Sequence, residues 1–250
     1  MKLQLSTSLM VFCLISTSVS AKQTNFTNPE LIKLANLALT KLEQTNVSAW
    51  AFEASMYENE EGDVSSSLQR HEPTEDNKGS WSLLMIDGDK PTEKQQQKFR
   101  KDKMKSKHSD QDFGVAIRKI LNVPSITLSS ETDSHIMMSF DVRLERLGED
   151  SWGKLMGIAH YHKEGAFIER IEINNNDEFS PMFGSSISEL KLSLDFIEVN
   201  GSVLIKQKDL QMKGSFAHFM EIDEVSSDKY SKYVHRDNYT PTVRTPNITN

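Results

Sequence analysis

The sequence predicts a mainly antiparallel β protein with a few helices, an α+β fold whose sheet curls into an incomplete β-barrel covered by helices. At least eight segments alternate apolar with polar residues, which is typical of strands that turn one face to a core. Short polar turns separate several of these segments, so neighbouring strands are expected to pair antiparallel. The chain has 250 residues, 37% of them apolar, which is enough for one core.

Residues 1–21 are predicted to be a cleaved signal peptide. Lys2 is the single charged residue of this stretch, and residues 9–15 form an apolar run. Val19 and Ala21 place small residues where a signal peptidase cleaves. The apolar run is much shorter than the roughly 20 residues that a membrane-spanning helix needs. We therefore expect a protein that is secreted into the periplasm and does not span the membrane.

Removal of that segment also removes Cys13, the single cysteine of the chain. The predicted mature protein has no disulfide, so its stability must come from its core. We expect residues 22–235 to form a single curled β-sheet domain. Residues 236–250 contain two prolines and almost no large apolar residue, so we expect them to form a disordered tail.

Three segments have helical character. Residues 28–42 read as an amphipathic helix, with Asn28 as its cap, Pro29 in its first turn and leucines at helical spacing. Residues 91–107 are compatible with a helix but contain few large apolar residues, so we expect a mobile or lightly docked segment. A short helix over residues 112–121 is expected to end before Pro124.

The remaining apolar segments alternate with period two and are predicted strands. A polar stretch with three consecutive serines, residues 59–79, is expected to be a long loop between the first two. The predicted strands are residues 50–57, 81–85, 136–144, 155–161, 167–173, 190–196, 203–212 and 216–225.

One amphipathic helix cannot cover the apolar face of eight or more strands. Either the sheet closes on itself as a barrel, or it curls around the helix and leaves an apolar hollow, which we expect to hold an acyl chain or another apolar ligand. The alternative is that these apolar residues, methionines included, are plain core. The residues predicted to form the wall of the hollow are Trp50, Phe52, Met56, Trp81, Leu83, Met138 and Phe140.

The charge distribution is uneven. The chain has a net charge of −7, yet residues 90–107 contain eight basic residues and two acidic ones. Such a segment can bind an anionic membrane surface or an acidic protein surface, and it can also be a solvated helix face. No nucleic-acid partner is predicted. The residues expected to contact an anionic surface are Lys94, Lys98, Arg100, Lys101, Lys103 and Lys105.

No catalytic constellation is evident. His160 and His162 lie on one face of a predicted strand, and His135 or His218 is a candidate third metal ligand. No cysteine or H-x-x-x-H motif accompanies them, so we predict no metal, cofactor or catalytic residue. G-x-S-x-G and phosphate-binding glycine loops are also absent from the sequence. Acidic residues near one turn are the candidates for acid–base chemistry: Asp141, Glu145, Glu149 and Asp150.

The layout resembles the periplasmic lipoprotein-carrier and outer-membrane lipoprotein-sorting superfamily. The resemblance lies in the signal peptide, the leading helix, residues 187–196 (ISELKLSLDF), residues 214–219 (GSFAHF) and the closing pair Tyr230 and Tyr233. It implies an incomplete antiparallel barrel capped by helices, with an apolar cavity for lipid chains. In that superfamily an arginine inside the barrel is important for lipoprotein release.

Two further points follow from resemblance. Arg143 and Arg146 lie near a strand comparable to the one that carries the superfamily's arginine. Residues 71–73 (HEP) and 81–92 (WSLLMIDGDKPT) resemble a segment of uncharacterised exported bacterial proteins, a likeness that implies no activity.

Three classes of function remain open from the sequence. The leading hypothesis is a soluble periplasmic binding or carrier protein with an apolar ligand in a half-barrel cavity. The alternative is an envelope protein-interaction module with a packed interior and no ligand. The third is an esterase-like or metal-dependent enzyme. A continuous cavity favours the carrier, and a filled interior favours the module.

Overall fold

The computed structural model describes residues 26–74, 80–105, 113–217 and 220–238. The predicted signal peptide and residues 239–250 of the predicted tail lie outside this part. The described residues contain three α-helices: α1 (Asn28–Glu43), α2 (Glu93–Lys105) and α3 (Phe113–Ile120). Each falls in one of the three segments with helical character.

The strands form one ten-stranded antiparallel sheet in the order β3-β2-β1-β10-β9-β8-β7-β6-β5-β4. The mainly antiparallel fold is therefore confirmed. The sheet ends in β3 and β4 and does not close into a barrel. Its strands are β1 (Trp50–Glu60), β2 (Asp63–Glu72), β3 (Ser80–Ile86), β4 (Thr127–Glu131), β5 (His135–Asp141), β6 (Leu155–His162), β7 (Phe167–Asn175), β8 (Ser185–Val199), β9 (Ser202–Phe216) and β10 (Met220–His235).

Two meanders build this sheet, and they join where the first strand pairs with the last. The first meander is β1–β3 and the second is β4–β10. The register across the junction places Ala54 opposite Tyr230 and Met56 opposite Asp228. The helices α2 and α3 lie in the chain between the two meanders.

The polar stretch predicted to be a long loop contains a strand instead. β2 pairs with β1 along its whole length, through a turn at Glu61 and Gly62, which have φ angles of 52° and 97°. The prediction failed because Ser65, Ser66 and Ser67 are polar on both faces and show no alternation. The short edge strand β4 was also not predicted.

The N-cap of α1 lies one residue before the predicted position. Thr27, rather than Asn28, is the N-cap, and its N–H and hydroxyl both donate to the Glu30 carboxylate, at 2.9 and 2.8 Å. The hydrogen bond from the Thr27 backbone lowers the pKa of Glu30, and the hydroxyl adds to the effect. This capping box satisfies helix N–H groups that would otherwise lack partners.

The main core lies between α1, α3 and strands β5–β9. Leu31 and Leu39 of α1 are fully buried in it, and each contributes about 1.5–3 kcal/mol through burial. Arg118, next to the buried Ile117 of α3, donates two hydrogen bonds to the Glu43 carboxylate, at 2.6 and 2.9 Å. These bonds lower the pKa of Glu43 and tie α3 to the end of α1.

The inner face of the sheet changes character between β8 and β9, within the second meander. Residues paired directly across strands share a face, so a single row can be followed from β5 to β3. The row is apolar on β5–β8 and turns polar at β9. In order it consists of Met138, Ala159, Ile171, Leu194, Lys208, Asp228, Met56, Ser67 and Ile86.

The close packing of Phe140 on Gly157 leads to a prediction about stability. A Cβ atom at position 157 would lie 2.1 Å from Cζ of Phe140, so Gly157→Ala overpacks the core. We expect the free energy of unfolding to fall by about 1–3 kcal/mol. Adding Phe140→Leu should recover part of the loss, because the smaller side chain leaves space for the methyl group. Urea denaturation of both single variants and the double variant checks this, and additive losses would contradict it.

Candidate functional site

A groove lies between α2 and the polar half of the inner sheet face. Its volume is about 630 Å³, and its walls come from α2 and strands β1, β2, β3, β9 and β10. We call it the α2 groove. Its floor combines apolar and polar side chains, among them Met56, Gln69, Leu83, Leu210, Glu224 and Asp228.

α2 contacts the sheet through one side of the helix. Lys103 Nζ lies 4.0 Å from the centre of the Trp81 ring on β3, and 5.7 Å from that of Phe99 on its own helix. Phe99 and Lys98 line the groove from above. A lysine over an indole ring contributes about 0.5–2 kcal/mol. Phe99 is the one large apolar side chain described on α2.

Acidic side chains crowd the groove. Burial raises the pKa of Asp228, and nearby Asp209 adds to the rise, while Lys208 and Lys103 oppose it. Lys208 Nζ is 3.7 Å from the Asp228 carboxylate. Burial also raises the pKa of Glu224, followed by repulsion from Glu60 and Glu58. Burial therefore makes these two groove carboxyl groups harder to ionise, and Lys208 and Lys103 offset part of this effect at Asp228.

Gln69, one of the residues that line the groove, carries an unsatisfied hydrogen-bond acceptor. Its residue is 8% exposed, and its amide nitrogen donates to Ser67 Oγ at 2.9 Å. Its carbonyl oxygen is the single buried side-chain N or O atom without a hydrogen-bond partner in the part of the chain that the structure describes. A buried acceptor in this state costs about 1–3 kcal/mol.

The seven side chains predicted to form an apolar wall do not line one cavity. Met56 and Leu83 line the α2 groove. Met138 and Phe140 are 0% and 2% exposed and belong to the main core under α1. The other three, Trp50, Phe52 and Trp81, form a separate aromatic cluster.

Aromatic packing holds that cluster together, and its Trp81 is the ring that Lys103 of α2 contacts. The Phe52 ring lies 5.4 Å from Trp81, 4.9 Å from His71 and 5.3 Å from Tyr233, measured between ring centres. Burial, and then nearby Tyr230, raises the pKa of Tyr233, whose hydroxyl donates to the Ile205 carbonyl at 2.6 Å. The cluster is filled by its own side chains.

The predicted anionic-surface residues divide between two sides of α2. Lys98 and Lys103 approach the groove, as described above. Lys94, Arg100 and Lys101 are exposed to solvent. The side chain of Lys105 lies outside the described residues.

The arginine implied by resemblance is not found in an interior cavity. Arg143 is exposed, with its guanidinium carbon 5.8 Å from the centre of the Trp152 ring. The side chain of Arg146 lies outside the described residues.

The candidate metal ligands are occupied by other partners. His135 Nε2 lies 2.6 Å from Glu169, and His160 Nε2 lies 3.0 Å from Glu172. His162 accepts a hydrogen bond from the Gly165 N–H at 2.9 Å. Within the described ranges no three metal-ligating side chains come together, and His218 falls outside them.

The acidic turn has a structural role. Asp150 accepts hydrogen bonds from the Ser180 N–H at 2.7 Å and from Lys154 at 3.0 Å. These bonds lower its pKa, the one from Ser180 most strongly. Asp150 thereby ties two surface loops together, and Asp141 is exposed on β5.

Comparisons with known proteins show no family for this chain. No family model matches it, and no curated protein matches it. The carrier superfamily suggested by the sequence layout is thus not shown. In the described part of the chain, no helix combines the length and apolarity needed to cross a bilayer.

Solved structures show only a distant likeness. A DUF1329 family protein from Desulfovibrio piger is 9% identical with a TM-score of 0.34, covering 84% of this chain and 95% of that one. MucB in the MucA/MucB complex of Pseudomonas aeruginosa gives a TM-score of 0.23 at 9% identity, covering 81% and 94%. A structure of MucB with MucA(peri) gives 0.27 at 9% identity, covering 79% and 94%.

The raised pKa of Asp228 predicts a pH dependence of stability. A carboxyl group with a higher pKa in the folded than in the unfolded state stabilises the fold when protonated. That stability is present below the ordinary pKa of 3.8 and is lost as the pH rises through the raised value. Asp228→Asn should therefore lose less stability than the wild type between acidic and neutral pH. Urea titrations across this range measure it, with the exposed Asp63→Asn as control, and parallel curves for Asp228→Asn and wild type would contradict it.

Proposed function

We propose that the protein is a periplasmic binding or carrier protein whose ligand lies in the α2 groove. The observation that carries the proposal is a groove of about 630 Å³, which is in the size range of small-molecule sites. In the described part of the main core, Leu31 and Leu39 of α1 and Ile117 of α3 are buried against the apolar half of the sheet. The predicted signal peptide supports the location.

The apolar part of the ligand, an acyl chain or a comparable group, lies in this proposal against Met56, Leu83, Leu210 and Phe99. These four side chains come from β1, β3, β9 and α2, so they surround the groove on several sides. Three of them are partly exposed within the groove and can bury further area against a ligand. The ligand is therefore amphipathic, since acidic and amide groups share the same floor.

α2 is proposed to act as a cover that ligand entry can move. It is attached by the Trp81 contact and by Phe99, and it presents cations on its outer side. Those outer cations are proposed to contact an anionic membrane surface, which would bring the groove close to its source of ligand.

A second candidate function is the envelope protein-interaction module without ligand. It is favoured by apolar side chains exposed at the tip of the sheet where β8 begins. Phe183 is fully exposed and Met182 is 64% exposed in the loop before Ser185. Phe216 pairs with Ser185 and Met220, so the exposed Phe216 and Met220 lie beside this loop. Contiguous exposed apolar residues are typical of protein docking surfaces.

Ligand binding in the groove can be tested with 1-decanol, an uncharged chain. We expect the double variant Met56→Asn, Leu210→Asn to bind it at least about tenfold more weakly than the wild type, because both apolar contacts are lost. Leu37→Asn, an exposed position on α1, is the control and should bind as the wild type does. Native mass spectrometry and calorimetry measure the binding. Absence of binding by the wild type would overturn the groove proposal and favour the interaction module.

The outer face of α2 gives a separate prediction. Replacement of Lys94, Arg100 and Lys101 by Gln should weaken binding to anionic vesicles at low salt, by about 1 kcal/mol for each cation near the surface. The control replaces the same number of exposed cations elsewhere on the protein. Vesicle sedimentation measures the binding. Equal weakening in both variants would contradict the prediction, because it would show that binding depends on net charge and not on the position of the cations. The control positions are Lys33, Lys119 and Lys229.

A further inference from the structure

We propose that the α2 groove recognises an organic cation, a primary ammonium or guanidinium group carried on an apolar body. The inference rests on the proposed function, because it identifies the polar group of the ligand that the groove would hold. Three features of the described residues support it: an unsatisfied acceptor, a group of partly buried carboxylates and a lysine of the protein's own helix near them.

Gln69 supplies the first feature. Its free carbonyl oxygen can only accept a hydrogen bond, so a ligand that satisfies it must carry a donor. Its amide nitrogen donates to Ser67 Oγ, so the buried carbonyl oxygen is the amide atom left without a partner, and a ligand would have to reach it as it enters the groove. A charged N–H donor forms a stronger bond with such an acceptor than a neutral one does.

Carboxylates supply the second feature. Asp228 and Glu224 lie on β10 and Glu58 on β1, all with their side chains along the groove. Lys208, at 3.7 Å from Asp228, is the nearest cation of the sheet, and burial still raises the pKa of Asp228. A cation bound here would favour the charged form of these buried carboxylates, whereas a ligand carboxylate or phosphate would add repulsion.

Lys103 supplies the third feature. Its ammonium lies 4.0 Å from the Trp81 ring centre, and it also lowers the pKa of Asp228. The protein therefore already places an alkylammonium group between an aromatic ring and the acidic floor. A ligand with the same chemistry would find the same surroundings in the remaining volume.

The test compares two ligands with the same chain and opposite charge, decylammonium and decanoate, below their aggregation concentrations. We expect the wild type to bind decylammonium at least about tenfold more tightly, since a hydrogen bond to a charged group contributes that much or more. Gln69→Leu and, separately, Asp228→Asn should each reduce the ratio of the two dissociation constants. Gln211→Leu, on the opposite face of β9, is the control and should keep the ratio.

Stability separates recognition from a structural role of Gln69. Removing an unsatisfied buried acceptor should raise the melting temperature of Gln69→Leu while its preference for decylammonium falls. If Gln69 merely supported the fold, its replacement would lower both the melting temperature and the preference for decylammonium.

The possible outcomes are distinct. Equal affinity for decylammonium and decanoate, with 1-decanol still bound, would overturn the cation inference and leave the groove proposal standing. No binding of any of the three would overturn both. A preference for decylammonium supports the inference, and competition by the peptide Lys-Leu-Lys-Leu-amide or by spermidine then shows whether the cation belongs to a polypeptide or to a small amine. A preference that Gln69→Leu and Asp228→Asn leave unchanged would overturn the assignment of these residues.

Discussion

The pairing of β1 with β10 is the constraint on which the remaining structure depends. It joins the second meander, whose strands β5–β8 pack under α1, to β1–β3 and makes their inner faces continuous. Without it, β1 would lose its partner strand on one side, and the aromatic cluster around Phe52 would lose Tyr230 and Tyr233. The same pairing places Met56 beside Asp228 and so creates the floor of the α2 groove.

Much of the fold could be predicted from local patterns because those patterns reflect burial on one side. α1 and strands β5–β8 show a clear period, and their apolar faces are in fact buried. β2 shows no period because its inner face lines a groove rather than a core, so Ser65 and Ser67 are as suitable there as apolar residues. The period-two rule therefore failed where the sheet departs from a packed core.

The candidate site could be predicted only in part, for a related reason. Met56 and Leu83 were identified as wall residues because they are apolar and alternate with polar ones. Gln69, Asp228 and Glu224 could not be identified, because their proximity depends on the register of β1 with strands more than 160 residues away. The sequence predicted more apolar sheet face than one helix can cover, and therefore an apolar hollow. The structure differs from that expectation. The uncovered half of the inner face carries polar side chains, so a purely apolar ligand does not match it.

α2 connects the two proposals through competition. Its Lys103 occupies part of the surroundings that a ligand cation would use, so ligand and helix compete for Trp81 and for the acidic floor. A ligand can displace the helix only if its own contacts exceed those that α2 gives up. The described contacts that it would give up include a lysine on a ring, at about 0.5–2 kcal/mol, and Phe99 at the groove. In the proposed function, the ligand's contacts with the groove must therefore offset these, and the exposed cations of α2 would stay available for a membrane surface.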